Sequence, residues 1–419
     1  MTKFLAQRIT FRNGERHSLL QRVNGLPVHE VTLYLGKYRN KGRAANTIHF
    51  VCSSLGLLYR ELDAAGVDLL ERLAAGQFLT APELDRIVTA ARYRSEDLEG
   101  ESTESKTNVI DIRRIGIRRN QQQAERQPVD AQTYASRLRY IADYLTYISS
   151  YVASTLPRDA RRDLEADAAR AVTAFREHIP EVSRRAKLGA RTGLSLEEQN
   201  QVLSAVHPAS PDNPWVRGFV RERNWLVVVL LLATGMRRGE LLGLQIGDIH
   251  TNQPKLNILR RADAKEDSRT IQPNTKTYDR TVELSPSVMR ALQAYLRARR
   301  SIKAARAIPQ VIVSEDGNAL SSQAVDKLFK ELRAAVPGLP VTLTSHVMRH
   351  TWNERFSEQA EAMNLPEVAE QRARNSQQGW SETSNTAAVY TRRHTDKKGR
   401  ELALKLQEQM DEKLRDDTE

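Results

Sequence analysis

Three cationic side chains stand close together in T-S-H-V-M-R-H-T-W, residues 344–352. His346 lies three positions before Arg349 and four before His350, so on a helix all three project from one face. Two chemistries use such a face. A metal site needs neutral imidazoles joined by carboxylates or thiolates. A phosphate site needs a guanidinium, which grips phosphate through two parallel hydrogen bonds. Here an arginine sits between the histidines, and a guanidinium beside a divalent cation is unfavourable. No H-E-x-x-H pattern is present. The local chemistry favours phosphate, with no metal and no cofactor. Taken alone, H-x-x-R-H also suits an ion-paired surface helix.

Other segments add to this face. L-L-L-A-T-G-M-R-R-G-E-L-L-G-L places Arg237 just past a glycine turn between two helices, a rigid place for an arginine that must reach a ligand. Glu240, three residues on, shares its helical face and can hold it. N-T-K-T-Y-D-R-T-V-E-L puts Lys276 at the tip of an expected strand hairpin. G-W-S-E-T-S-N-T-A-A-V-Y-T-R-R-H carries Trp380 and then Tyr390.

The elements that must position these groups are mostly helical. Residues 46–66 form a helix with Ile48, Val51, Leu55, Leu58 and Leu62 as its apolar stripe, capped by Asn46 or Thr47 and stopped by Gly66. Leu138, Ile141, Leu145, Ile148 and Val152 step by three and four along a second helix. Tyrosines 134, 140, 144, 147 and 151 on it read as packing and rim residues. Residues 97–129 are polar and read as a long mobile loop with a basic cluster at Arg113, Arg114, Arg118 and Arg119. Residues 180–194 form the expected interdomain linker. Its Arg184, Arg185 and Lys187 suit a phosphate backbone, as they also suit mere solvation.

Ser195 opens the next helix with Glu198 as its capping-box partner. L-V-V-V-L-L-L-A, residues 226–233, reads as a buried helix. K-L-N-I-L-R-R, S-R-T-I-Q-P and R-T-V-E-L read as short strands, and P-Q-V-I-V-S-E-D as a strand or extended segment. Ser285 caps a helix with Pro286 at its first position. The tail carries Leu402, Leu406, Met410 and Leu414 at four-residue steps, a narrow stripe that needs a groove in its own chain or a neighbour's. The fold class expected is mainly α with a small β-sheet (α+β).

Composition narrows the partners. The 419 residues hold 64 Lys and Arg against 52 Asp and Glu, a net charge of +12 and a pI near 9.8. Such an excess favours polyanions, nucleic acid first. With 40% hydrophobic and 28% charged residues, the chain reads as globular rather than disordered. Its one cysteine, Cys52, excludes an intrachain disulfide and a multi-cysteine zinc site, and points to a reducing, cytoplasmic setting. The first residues lack the apolar core of a signal peptide. The longest apolar run is far below the roughly 20 residues that span a bilayer, so no membrane partner is expected.

In this order the segments resemble the tyrosine recombinase family, also called phage-integrase-type recombinases. A-T-G-M-R-R-G-E-L-L-G-L is similar to the family's first box, T-S-H-V-M-R-H-T-W to its H-x-x-R-H box, N-T-K-T-Y-D-R-T-V-E-L to its lysine hairpin, and A-A-V-Y-T-R-R-H to its nucleophile segment. The resemblance covers roughly residues 195–400. It is weaker over 28–70, which looks like the family's helical core-binding domain and includes Arg43 as a DNA contact.

The resemblance implies residues 1–179 as an N-terminal DNA-binding domain, 195–397 as the catalytic domain and 398–419 as a docking tail. The two domains would close on DNA as a C-shaped clamp. It implies that Arg237 and Arg349 clamp the scissile phosphate and that Tyr390 attacks it. Lys276 would protonate the leaving 5′-oxygen, and Lys265 in D-A-K-E-D-S lies near enough to compete. His346 would assist proton transfer, while Glu240 and His350 would support the site.

Trp380 stands where the family usually has histidine. Its indole N–H can donate to a phosphate oxygen, but it cannot transfer a proton. The spacing from Trp380 to Tyr390 is one residue longer than the family's, which implies a small loop insertion. The implied partners are double-stranded DNA and three further copies in a tetramer, with room for other recombinase subunits. The implied role is the integrase of a mobile element. A type IB topoisomerase, or a non-catalytic DNA-binding accessory protein, remains the alternative.

Overall fold

The computed structural model describes residues 4–94, 126–181, 193–250, 252–273, 275, 277–384, 395 and 398–408. The chain divides into two compact units, Met1–Lys187 and Leu188–Glu419, and each has its own hydrophobic core.

The first unit opens with a hairpin that sequence reading did not anticipate. β1 (Phe4–Thr10) pairs antiparallel with β2 (Arg16–Arg22), Phe4 opposite Arg22 and Thr10 opposite Arg16. Four helices follow: α1 (His29–Asn40), α2 (Ala45–Ala64), α3 (Leu69–Ala74) and α4 (Ala81–Ala91). After residues outside the description come α5 (Ala131–Ala153) and α6 (Arg158–Glu177). The expected stripe of α2 is buried at all five positions, as is that of α5. Gly66 ends α2 with a positive φ of 70°. The start of α2 differs from expectation. Ala44 is its N-cap and offers no side-chain bond, while Asn46 accepts from Arg8 Nη1 on the hairpin at 3.0 Å.

Inside this unit Tyr59 Oη donates to Glu30 Oε1 at 2.8 Å and lies 2.6 Å from Tyr144 Oη. These three polar groups satisfy one another in an otherwise apolar core. Tyr134 and Tyr144 are buried and Tyr151 is exposed, so the tyrosines of α5 grade from packing to rim.

The second unit begins with α7 (Leu196–Val206), whose N-terminus has the expected capping box of Ser195 and Glu198. The apolar run 226–233 lies in α8 (Gly218–Thr234) at the centre of the core. A one-and-a-half-turn α9 (Arg238–Gly243) follows. β3 (Lys255–Ile258) and β4 (Arg280–Glu283) then pair antiparallel. The segment S-R-T-I-Q-P is not a strand. It is an irregular loop whose arginine and glutamine side chains bond to main-chain carbonyls of other stretches. Residues around 310–313 are extended and make only single bridges, Gln245 with Gln310 and Val313 with Ala319.

α10 (Pro286–Ser301) is capped by Ser285, as expected. α11 (Ser322–Ala335), α12 (Ser345–Ala362) and α13 (Glu367–Gln378) complete the unit, with a further helical stretch at 398–408. The described residues are thus mainly helical, with two small two-stranded sheets among them. Among the described residues no helix is long and apolar enough to cross a membrane. The basic cluster at 113–119 lies outside the described residues.

Candidate active site

The site grows from the end of α8. Gly235 closes that helix in the left-handed conformation, with φ 62°. A Cβ there would stand 2.7 Å from the Trp352 ring and 2.8 Å from Gln378 Nε2. Only glycine lets α8, α12 and the end of α13 meet so closely. Arg349, on α12 and 1% exposed, donates from Nη1 to the Gly235 carbonyl at 2.6 Å. The turn that delivers Arg237 therefore also anchors Arg349, 112 residues away in sequence.

Arg237 is the N-cap residue of α9 rather than part of its helical face, which corrects the expected arrangement. Its backbone N–H donates to Glu240 Oε2 at 2.9 Å, and its Nη1 lies 3.4 Å from Glu240 Oε1. Glu240 holds it, but through the capping box.

Glu240 is 2% exposed and is the hub. It accepts from Thr277 Oγ1 at 2.5 Å and from Arg280 Nη2 at 2.7 Å. Burial alone would raise its carboxyl. Arg280, Thr277 and Arg349 together outweigh that and hold it below the usual carboxylate range. It is thus an ionised positioning group, not a proton carrier.

Trp380 follows Gly379, which ends α13 with φ 61°. The Gly379 carbonyl accepts from the Tyr278 N–H at 2.9 Å. A Cβ at Gly379 would meet the Tyr278 oxygen at 2.7 Å and Arg280 Nη1 at 3.0 Å. This contact seats Trp380 beside the entry to β4. The Arg349 guanidinium carbon lies 5.1 Å from the indole centroid, a cation–π approach that helps offset burial of the charge.

His346 is exposed on the first turn of α12, whereas His350 is 4% exposed. Their rings meet edge to face at 4.9 Å. The helix thus presents one histidine outward and packs the other inward.

Lys276 and Tyr390 lie outside the described residues, as do Arg184, Arg185 and Lys187. Arg43 is exposed between α1 and α2 in the first unit. Lys265 is exposed on a turn of the loop between β3 and β4. The connection from β3 to β4 runs from residue 259 to 279. Among the described residues no group of three or more His, Cys, Asp and Glu is placed to hold a metal.

Sequence reading missed Arg280 and Thr277. Arg280 was visible only as the first residue of a strand. Its importance lies in pairing with Glu240, 40 positions earlier, and no local pattern shows that pairing.

Two fixed guanidinium groups around one buried carboxylate suit an anion that gains charge during a reaction. Residues 196–397 match the phage integrase family. Tyrosine recombinase XerD of Halalkalibacterium halodurans is 26% identical over 160 residues, 38% of this chain and 46% of that protein. The matched stretch therefore spans less than half of that relative. Transposase A from transposon Tn554 of Staphylococcus aureus is 24% identical over 334 residues, 78% of each chain. Among solved structures, XerH recombinase bound to palindromic difH substrate superposes with TM-score 0.42 at 18% identity, over 78% of this chain and 85% of that one. Over residues 196–397 this chain belongs to the phage integrase family, the group of the tyrosine recombinases.

Proposed function

We propose that the protein is a site-specific recombinase that cleaves and rejoins double-stranded DNA through a 3′-phosphotyrosyl intermediate, mobilising a genetic element. One observation carries this reading. Arg237, Glu240, Arg349 and Trp380 come from three separated segments and converge through Gly235 and Glu240. A core needs no such charge there. A pentacovalent phosphorus, with its added negative charge, does.

In the proposed step the Tyr390 phenolic oxygen attacks phosphorus and the bond from phosphorus to O5′ breaks. His346 assists removal of the phenolic proton. Lys276 gives a proton to the leaving O5′, producing a free 5′-hydroxyl. Arg237 and Arg349 hold the non-bridging oxygens, and Trp380 donates its indole N–H to one of them. His350 buttresses Arg349. The reverse attack by a 5′-hydroxyl rejoins the strand. The phosphodiester energy is stored in the tyrosyl ester, so neither ATP nor a metal enters the balance.

Residues 1–179 serve as a DNA-binding domain with Arg43 as one contact. Residues 180–194 place Arg184, Arg185 and Lys187 along the backbone. Four copies act on two duplexes, with residues 398–419 docking between neighbours.

The test uses a duplex selected for binding from a random-sequence library by the full chain, nicked next to the mapped cleavage position. Wild type should trap a covalent adduct and Tyr390→Phe should trap none. An adduct that survives Tyr390→Phe refutes the reading. Relaxation of supercoiled DNA lacking that site would move it to a type IB topoisomerase.

A further inference from the structure

The connection from β3 to β4 spans 21 residues, 259 to 279, and its described residues form no helix or strand. Loops of this length are either loosely held or built for a purpose. This one is held by two guanidinium–carboxylate pairs that the chemistry above does not use, one buried on both sides and one with its arginine half-buried. Asp248 is 2% exposed; Arg261 donates to its two oxygens at 2.9 and 2.5 Å. Asp267 is 5% exposed and receives Arg269 Nε and Nη2 at 2.9 and 2.6 Å.

The second pair does more than neutralise itself. Arg269 Nη1 donates to the Leu320 carbonyl at 2.7 Å, and its Nη2 to the Leu242 carbonyl at 3.0 Å. Leu242 lies on α9, the helix that Arg237 caps and that carries Glu240. Arg261 reaches the same helix at the Gly243 carbonyl, 3.4 Å away. Gln272 closes the loop on itself: it accepts from the Ala264 N–H and donates to the Arg261 carbonyl. At the base of the loop the Arg260 N–H donates to Asp279.

Beyond Gln272 the chain passes Thr275 and Thr277, both buried, on either side of Lys276 in sequence. Thr277 is bound to Glu240. On either side of Lys276 in sequence, Arg269 and Thr277 are each bound to the helix of the first clamp arginine, one at the Leu242 carbonyl and the other at Glu240.

A loop that served stability alone would do as well with apolar contacts, because burying ion pairs brings little net stabilisation. Bidentate pairs instead fix geometry, and general acid catalysis needs geometry within fractions of an ångström. We infer that Arg269, paired with Asp267, is a positioning residue that sets the lysine-bearing loop against α9 so that Lys276 can protonate the leaving 5′-oxygen. This deepens the reading above and rests on it. When O5′ leaves, the bond to phosphorus breaks and the electron pair on O5′ takes the ammonium proton. If sulfur replaces that bridging oxygen, a thiolate leaves and needs no proton.

The experiment compares cleavage of the selected duplex with oxygen or sulfur at the bridging 5′ position of the mapped site. Four full-length variants are compared with wild type: Lys276→Met, Lys265→Met, Arg269→Gln and the charge-neutral double variant Asp267→Asn with Arg269→Gln. The double variant leaves no buried unpaired carboxylate, so it covers the case in which Arg269→Gln alone does not fold.

On the oxygen substrate Lys276→Met and both Arg269 variants should be slower by about 100-fold or more, the scale of general acid catalysis. On the sulfur substrate all three should return to within about 5-fold of wild type, because the same catalytic contribution is no longer required. A misfolded or DNA-binding-deficient variant would stay slow on both substrates. If Lys276→Met is rescued and the Arg269 variants that still bind DNA are not, the inference is overturned while the reading beneath it stands. If Lys265→Met is rescued and Lys276→Met is not, the assignment of the acid fails, and the inference fails with it.

Discussion

The carboxylate of Glu240 decides how the site is held at the level of single residues. It lies at the meeting point of the Arg237 backbone, Arg280 and Thr277, and burial leaves no water to replace any of them. Glu240→Ala strands the Arg280 charge and should cost about 3–5 kcal/mol, read as a lower urea midpoint of the second unit. The pH dependence has a definite sign. The folded carboxyl titrates below its unfolded value, so its stabilisation is fully present above the ordinary carboxylate range. It is lost as pH falls through the lower folded value. Glu240→Gln should therefore flatten the acid limb of a stability–pH curve, and an unchanged limb would remove the carboxylate from its place as hub. Gly235 is tested the other way. Gly235→Ala puts a Cβ 2.7 Å from the Trp352 ring at a φ of 62°, and about 1–3 kcal/mol of destabilisation is expected from the backbone strain alone.

Among the elements, what was legible in the sequence was what repeats locally. The stripes of α2 and α5, the buried α8, and the caps at Ser195 and Ser285 are all written in residues three or four apart, the spacing at which a helix reads its own sequence. The first hairpin was missed because R-H-S-L-L-Q-R shows no clean alternation; its strand character comes from packing on α2. S-R-T-I-Q-P misled in the opposite sense. It has strand-like residues, but it pairs with no strand, and its Arg269 and Gln272 side chains tie it instead to carbonyls of other stretches. The same limit applied to the site. Its arginines were visible because each stands in a short motif, whereas Arg280 gains its role from a partner on another element. The cap that was legible can be measured. Ser195→Ala removes one side of the α7 capping box and should lower stability by about 1 kcal/mol, seen as a few degrees in the melting temperature of the second unit.

For the molecule as a whole, two separate cores predict two separately measurable stabilities. His49 gives them different pH responses. Burial first, and the nearby Arg8 charge second, lower its pKa to about 4 from 6.5. Between those values the unfolded chain takes up a proton that the folded first unit refuses. Stability of the first unit should therefore fall as pH drops through that window, and replacing His49 by Gln should abolish this portion of the fall. The tail belongs to a larger scale still. Leu402, Leu404 and Leu406 on the helical stretch 398–408 are more than half exposed, at 63%, 56% and 68%. A run of exposed leucines on a helix is costly in water unless something covers it. In the proposed assembly the cover is a neighbouring copy on DNA. Leu402→Asp with Leu406→Asp should then leave the melting temperature of the free chain unchanged, because these side chains are mostly exposed. The same change should abolish the slowest-migrating DNA complex in a gel shift while leaving single-copy binding intact. A drop in melting temperature, with the large complex preserved, would place the leucines against their own chain and remove the tail from the assembly.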